Sequence, residues 1–297
     1  MNNPSVICVG VITMDTIARV SRYPTEDERV EAKDLIRAIG GPAAVAAIAL
    51  ARLGITVALV GTIGDDSDGG SVLSLLSAEG VNTEGISVGA EATAGSVIIA
   101  STEHNTRAIC TRQRPNELRP SPIAQDMAKS ADWVHADHVG VALLEKLGIR
   151  RGSGPKISFD AGYDIRNFDA SRVDLFAPND KSLLSRHPKR DIETAIQIEA
   201  EDSGNLTVAT RGEDGSIGYS TKSGLVTAKS YQIPILSTLG AGDVFHGALI
   251  AQLIEHRELP EALNRANAVA ALSCRGLDGS SAIPTKVELD TFMTGAS

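Results

Sequence analysis

Short, β-branched, almost wholly apolar runs recur along this chain, and nearly every one stops at a polar residue or a glycine. VICVGVI (6–12) leads into Asp15, TVALVG (56–61) ends on Gly61, and WVHAD, KISFDAG, VDLFAPN and LTVATRG follow at 133–137, 156–162, 173–179 and 206–212. Runs of this length and composition are strands buried on both faces, as parallel strands are. Between the first two lies GGPAAVAAIALARLG (40–54), a helix bracketed by an early proline and a closing glycine. A further helix is expected from about residue 71 to 78. Alternation of strand and helix implies crossover connections and a mainly parallel sheet. In such a sheet the polar residues at the strands' carboxyl ends gather at one edge, where ligands bind.

Two segments break the alternation. Residues 15–37 alternate apolar and polar positions around a turn at Pro24 to Glu28, and GSVIIAS and RAICTR, within residues 91–112, read as a hairpin about TEHN. One α/β domain spanning 1–297, carrying a small β excursion built from these two segments, accounts for the whole chain. The last third reads as helical, at 241–256 and 259–274, the second helix broken by GLDGSS.

Hydrophobic residues make up 42% of the chain and aromatics 3%, so the core is expected to be aliphatic and alanine-rich. A net charge of −9, without a basic run or an aromatic platform, argues against nucleic acid and for a small-molecule partner. Cys8, Cys110 and Cys274 are far apart and odd in number, which suits reduced thiols in a cytoplasmic protein better than disulfides or zinc. The opening MNNPSVICVGVITMD lacks a basic segment before a long apolar stretch and reads as a strand, not a signal or membrane segment.

Gly240-Ala241-Gly242-Asp243 stands at the mouth of the first late helix. It has two readings. One is a glycine turn with an acidic helix cap. The other is an anion site, in which glycines let a phosphoryl oxygen approach the helix's first N–H groups while Asp243 takes a proton from an attacking hydroxyl. Neither a P-loop nor a dinucleotide glycine fingerprint is present to supply a nucleotide site of another kind.

Five stretches in order, CVGVITMD, GGPAAVAAIALARLG, VGTIGDDSDGG, TRGEDG and STLGAGDVFHGAL, make the chain similar to the ribokinase-like (PfkB) carbohydrate kinases from Val6 to about Pro284. The resemblance implies a three-layer α/β/α sandwich with a β lid at about 15–37 and 91–112, ATP and Mg2+ as cosubstrate and cofactor, and a sugar acceptor. By the same resemblance Asp243 is the base, and Gly240, Ala241 and Gly242 form the anion hole. Asp15, Gly40 and Gly41 lie beside the sugar. Arg211, Gly212 and Gly215 form an ATP-contacting turn, and Asn267 and Gly276 lie towards the adenine, with Asn179 also on the nucleotide side. The lid often pairs two copies, so a homodimer is expected. Two branches look closest, the ketohexokinases and the sulfofructose kinases, and both act on ketoses. An acceptor that is a phosphorylated sugar or a nucleoside, and a non-catalytic sensor, are the alternatives.

Three positions depart from the family pattern. Ser237 replaces an aspartate and weakens the case for a bound monovalent cation, Pro42 replaces an asparagine beside the sugar, and Ser182 replaces a glutamate tied to magnesium. No protein metal ligand is assigned. The basic residues Arg29, Lys33, Arg107, Arg112, Arg114 and Arg119 are either a solvated strand edge or hold an anionic group of the acceptor. Arg29 and Arg107 are the candidates for that second role. Arg107 and Arg112 fall on opposite faces of one strand and so do not act together. His135 and His138 flank Asp137, a pattern open to a metal site or to cleft lining. Asp137 is placed on the substrate side, and His246 lies one helical turn behind Asp243.

Overall fold

The computed structural model describes residues 3–103, 106–112, 120–162 and 167–295. The chain runs β1 (Val6–Val9), β2 (Thr13–Val20), β3 (Ala32–Gly40), α1 (Pro42–Arg52), β4 (Val57–Gly64), α2 (Ser67–Ala78), β5 (Ile86–Gly89), β6 (Ser96–Ser101) and β7 (Thr106–Thr111). It continues through α3 (Pro122–Ser130), β8 (Trp133–Ala136), β9 (Lys156–Ala161), β10 (Leu175–Pro178), α4 (Asp180–Arg186), α5 (Ile192–Ser203) and β11 (Leu206–Thr210). The last elements are β12 (Ser216–Ser220), β13 (Gly224–Ala228), α6 (Ala241–Ile254), α7 (Leu259–Ser273) and α8 (Lys286–Gly295).

The larger sheet has nine strands in the order β13-β12-β11-β10-β9-β8-β1-β4-β5. Pairing is parallel from β5 to β11, and only the β11-β12-β13 margin is antiparallel. The alternation of side chains along a strand sorts the core into two halves. Val6 and Cys8 of β1 pack with α1, α2, α6, α7 and α8, whereas Ile7 and Val9 point to the opposite half, where α3 packs; α4 and α5 cover the β11–β12 end of the sheet. The expected α/β/α layering is therefore observed.

α6 runs centrally through one layer, and its residues Val244 to Gln252 are all buried. A helix apolar on every side belongs in the interior. It lies close against α1: a methyl group on Gly247 would meet the Ala46 carbonyl oxygen at 2.5 Å, so the alanines of α1 and this glycine permit the approach.

The lid is a separate four-stranded sheet in the order β3-β2-β6-β7. Ile17, Ala38 and Ile98 on its inner face pack with Leu277 of the main body. Two differences from the sequence reading matter for the site. β1 ends at Val9, so Asp15 belongs to lid strand β2 and not to the first sheet strand. α2 begins at Ser67, four residues earlier than expected, because the Asp66 carboxylate caps Gly69 N–H at 2.8 Å. The hairpin β12-β13 and the short β5 were not foreseen. Their alternation is weak and they sit at the sheet margins. No helix among the described residues is long and apolar enough to cross a membrane.

Candidate active site

The carboxyl ends of the parallel strands bring Asp137 (after β8), Asp160 (in β9), Asn179 (after β10) and Arg211 (after β11) to one edge of the sheet. The mouth of α6 faces that edge. Gly240 caps the helix in the left-handed conformation (φ 73°), and no side chain caps the first turn; Ala241 N–H reaches the Thr238 carbonyl only at 3.4 Å, which leaves the mouth open to a ligand. The 275–280 loop backs this mouth: a methyl on Gly240 would lie 2.7 Å from Gly279 Cα. That tight glycine-on-glycine contact escaped the sequence reading, which had marked Gly276 instead. Gly276 is buried inside its own turn, 2.8 Å by the same measure from Ser281 Oγ, and does not face the cavity described below.

Asp243 is half-buried in the first turn of α6. Burial and the nearby Asp160 carboxylate push its pKa up to about 8, with Asp137 adding to the rise and His246 and Arg107 opposing it. A carboxyl group with that proton affinity suits proton exchange near neutral pH.

Behind Asp243 lies a buried polar cluster. His246 Nδ1 stands 3.1 Å from Asp160 Oδ2, and Asp160 Oδ1 accepts from Gly162 N–H at 2.9 Å. His135 Nδ1 lies 3.1 Å from Ser158 Oγ, with its ring 6.0 Å from that of His246. Among the described residues no cluster of acidic, histidine or cysteine side chains could hold a metal, so the metal reading of the histidines lapses. Asp160 was visible in KISFDAG as an acid ending a strand, but nothing in the sequence paired it with His246.

Asp137 departs from expectation. It is fully buried, and its carboxylate accepts from the N–H groups of Val11 (2.6 Å), Val139 (2.9 Å) and Gly140 (2.8 Å). It ties together two backbone segments, at Val11 and at 139–140, and has no surface left to touch a substrate.

On the lid side, Asp15 Oδ1 accepts from Ser96 N–H at 2.8 Å, and its second oxygen lies over Gly40 so closely that a Gly40 methyl would stand 2.0 Å from it. Burial raises the Asp15 pKa against the hydrogen bonds that lower it. Gly41 adopts φ 95° and passes 2.3 Å, by the same Cβ measure, from the Val11 carbonyl. Through Val11, whose N–H is held by Asp137, this glycine pair is fixed to the sheet edge.

Arg107 shares the inner lid face with Ile98 and Ala100, and its Nη1 donates to Thr238 Oγ1 at 3.3 Å. Arg112 faces the other way and donates to the Thr93 carbonyl, which confirms the opposite-face expectation. Arg19, part of the expected alternation but not among the basic candidates, also lies on the inner face, paired with Asp34. Arg29 is exposed in the connection after β2 and lines neither of the cavities next described. Arg114 and Arg119 fall outside the described residues.

Two cavities lie beside this centre, and Asp15, Gly40, Gly41 and Asp243 line neither of them. One, of about 500 Å³, has an apolar wall of Ile233, Phe245, Ala270 and Cys274 and ends at Ala241 and Gly242. Gly212, Gly215 and Asn267 line it as well. Asn267 donates to the carbonyls of Ala228 and Lys229, at 3.0 and 3.2 Å, fixing the end of β13. Gly215 (φ 87°) turns so tightly that a methyl would meet the Ala228 carbonyl at 2.1 Å. Arg211 stands behind the turn, its N–H donating to Gly215 O at 2.8 Å. Asn179 is outside this cavity: it caps α4 through Ser182 N–H (2.8 Å) and donates to Gly162 O (2.9 Å). The second cavity, about 200 Å³, lies between the lid, with Ile17, Arg19 and Arg107, and the 235–239 segment. Ile235 and Thr238 line both.

Comparison with known proteins agrees with this geometry. The family model described as pfkB family carbohydrate kinase matches residues 3–286. The chain is 26% identical to "Probable fructokinase-4" of Arabidopsis thaliana, covering 98% of this chain and 97% of that one. It is also 26% identical to the ATP-dependent ribose-1-phosphate kinase of Halopiger xanaduensis (97% and 98% covered). Among solved structures, Arabidopsis thaliana ribokinase complexed with ribose and ATP superposes with a TM-score of 0.80 at 20% identity, over 98% of this chain and 99% of that one. A lidded α/β/α fold, an open helix mouth between two cavities and a family match across nearly the whole chain lead to one conclusion: the chain belongs to the PfkB family and is an ATP-dependent carbohydrate kinase.

Proposed function

We propose that the chain transfers the γ-phosphoryl group of ATP to a hydroxyl of a ketose or modified ketose, with Asp243 as the base. The observation that carries this reading is the shared wall: Thr238 borders both the 500 Å³ cavity and the lid cavity, two residues before the open helix mouth. A nucleotide in the first cavity and a sugar under the lid would bring donor and acceptor together there. Asp15 orients hydroxyls of the acceptor, and Asp243 takes the proton of the attacking one. The amides at 240–242 stabilise the charge that develops on the transferring group.

The larger cavity is of nucleotide size, with an apolar end for a base and a polar end at the helix mouth. Because Ser182 stands where the family has a glutamate and no group of side chains able to hold a metal is present among the described residues, the site fits a magnesium ion carried mainly by the nucleotide's phosphates. When bound, that ion would neutralise phosphate charge.

Arg107 and Arg19 in the lid cavity favour a second acceptor class, a sugar bearing a phosphate or sulfonate, since a guanidinium meets such groups with paired donors. A coupled ADP-release assay over ketoses, aldoses, sulfosugars, sugar phosphates and nucleosides separates these readings. Turnover best with a neutral ketose supports the first, and best with an anionic sugar, lost in Arg107→Ala, the second. Release of no ADP with any member would make the chain a sensor.

Two further expectations follow. Ser237 is engaged by Leu239 N–H at 3.1 Å and brings no carboxylate to the loop. Rates should therefore agree within about twofold when potassium is replaced by sodium or choline, because no charged ligand is present to favour one cation; a steep potassium requirement would refute this. The outer lid face leaves Leu35 69% and Val97 52% exposed, which supports pairing with a second copy across the lid. A monomer by light scattering at assay concentration would remove that pairing.

A further inference from the structure

α6 carries one residue that its packing does not call for. Around His246 the helix buries Val244, Phe245, Ala248, Leu249 and Ile250, so an aliphatic side chain would serve packing better. Instead a histidine that is 4% exposed stands with Nδ1 3.1 Å from Asp160 Oδ2, and among the described residues neither of its ring nitrogens makes a hydrogen bond of good geometry. Leaving a buried ring nitrogen unsatisfied is costly. Spacing of three residues puts His246 on the same helix face as Asp243.

We propose that His246 is a positioning residue for phosphoryl transfer: paired with Asp160, it screens the Asp160 carboxylate from Asp243, so that the base can carry its own negative charge in a buried site. This rests on the reading of Asp243 as the base. The charged groups facing Asp243 are Asp160 on β9, Asp137 after β8, Arg107 on the lid and His246 on its own helix. Two of the four are anions, and without His246 only the lid arginine would oppose them. The two buried histidines are shifted in opposite directions. Burial and the neighbouring His246 lower the His135 pKa to about 4, which leaves His135 neutral. His246 is raised: burial opposes its charge, but Asp160 and Asp243 together outweigh the burial. Asp160 is correspondingly lowered to about 2, against the effect of its burial.

The test is the pH dependence of kcat/KM with MgATP and the best acceptor from the panel, in wild type, His246→Gln, His246→Asn and the double variant Asp160→Asn/His246→Asn. Removing the cation alone should move the acid limb to higher pH by about one to two units, the size of one charge at helix-neighbour distance in a partly screened site. At pH values below the limb the rate falls ~10- to 100-fold, while the alkaline plateau is kept. Removing Asp160 as well takes away the charge being screened, and the limb should return to near its wild-type position. A limb that stays in place in both single variants while the plateau drops, or a double variant no better than the singles, overturns the proposal. So does an altered Mg2+ requirement with an unmoved limb. Asp243→Asn separates the two failures: if it keeps wild-type rate, the reading of Asp243 falls; if it is inactive while the His246 limb is unmoved, only this inference falls.

Discussion

Asp243→Asn should lower kcat by about 10²- to 10⁴-fold, the range a positioned base contributes, while ATP binding measured by calorimetry stays within a few-fold of wild type. On the proposed reading the nucleotide would lie against the wall of Gly212, Gly215, Ala241, Gly242 and Asn267, a wall to which the Asp243 side chain does not contribute. Wild-type kcat/KM should climb as pH rises through the region of 8, because a base whose pKa is raised to about 8 is protonated, and idle, below it. The Asn variant should have no such limb. Its stability should also move in an unusual direction. A carboxyl group whose pKa is raised on folding favours the folded state while protonated, and that advantage is lost as pH rises through the folded value. Asparagine cannot ionise, so at pH 8 the variant should melt no lower than wild type. A variant that is inactive and also melts well below wild type would point to misfolding, and one that turns over at wild-type rate would end Asp243's assignment as base.

The parallel sheet was legible because its strands are buried on both faces and read as unbroken apolar runs, VICV and LFAP among them. Their polar ends announced the functional edge. The lid was legible for the opposite reason: its residues alternate apolar and polar, and β3 alternates between exposed and half-buried over 32–37, although β7 is exposed throughout. What escaped is three-dimensional. Asp160 and His246 are far apart in sequence, and only the crossing of β9 beneath α6 makes an ion pair of them. Asp137 looked like a cleft residue because it ends a strand, but the same position lets a carboxylate reach the backbone of β1's exit, and the structure uses it there. Asn179, expected on the nucleotide side, lies outside the larger cavity and caps α4, a role its residue type fills equally well. Residue type and strand position therefore found the edge of the sheet. Whether each polar group faces inward to backbone or outward to ligand was set by packing.

Gly40→Ala should cost nearly as much as removing Asp15 itself. The added methyl would stand 2.0 Å from Asp15 Oδ2 and 2.5 Å from Thr13 Oγ1, so the carboxylate must swing away, and its remaining tie to Ser96 N–H resists an even displacement. Hydrogen bonds to a charged group are worth about 1.5–3 kcal/mol each. If Asp15 holds two hydroxyls of the acceptor, displacing it loses about 3–6 kcal/mol, or roughly 10²- to 10⁴-fold in kcat/KM for the sugar. ATP affinity should not change, since Asp15 and Gly40 belong to the lid and its exit and border no part of the larger cavity. The control is Gly70→Ala in α2, where an added methyl meets nothing within 4 Å and the backbone is helical. That change should leave kcat/KM intact and raise stability slightly, by up to about 1 kcal/mol, because alanine is the better helix former. The same chemical substitution thus separates a glycine that must lie under a carboxylate from one that need not be glycine. Should Gly40→Ala keep wild-type KM for the sugar, Asp15 is not what holds the acceptor hydroxyls, and that role passes to Arg107 and Arg19 on the lid.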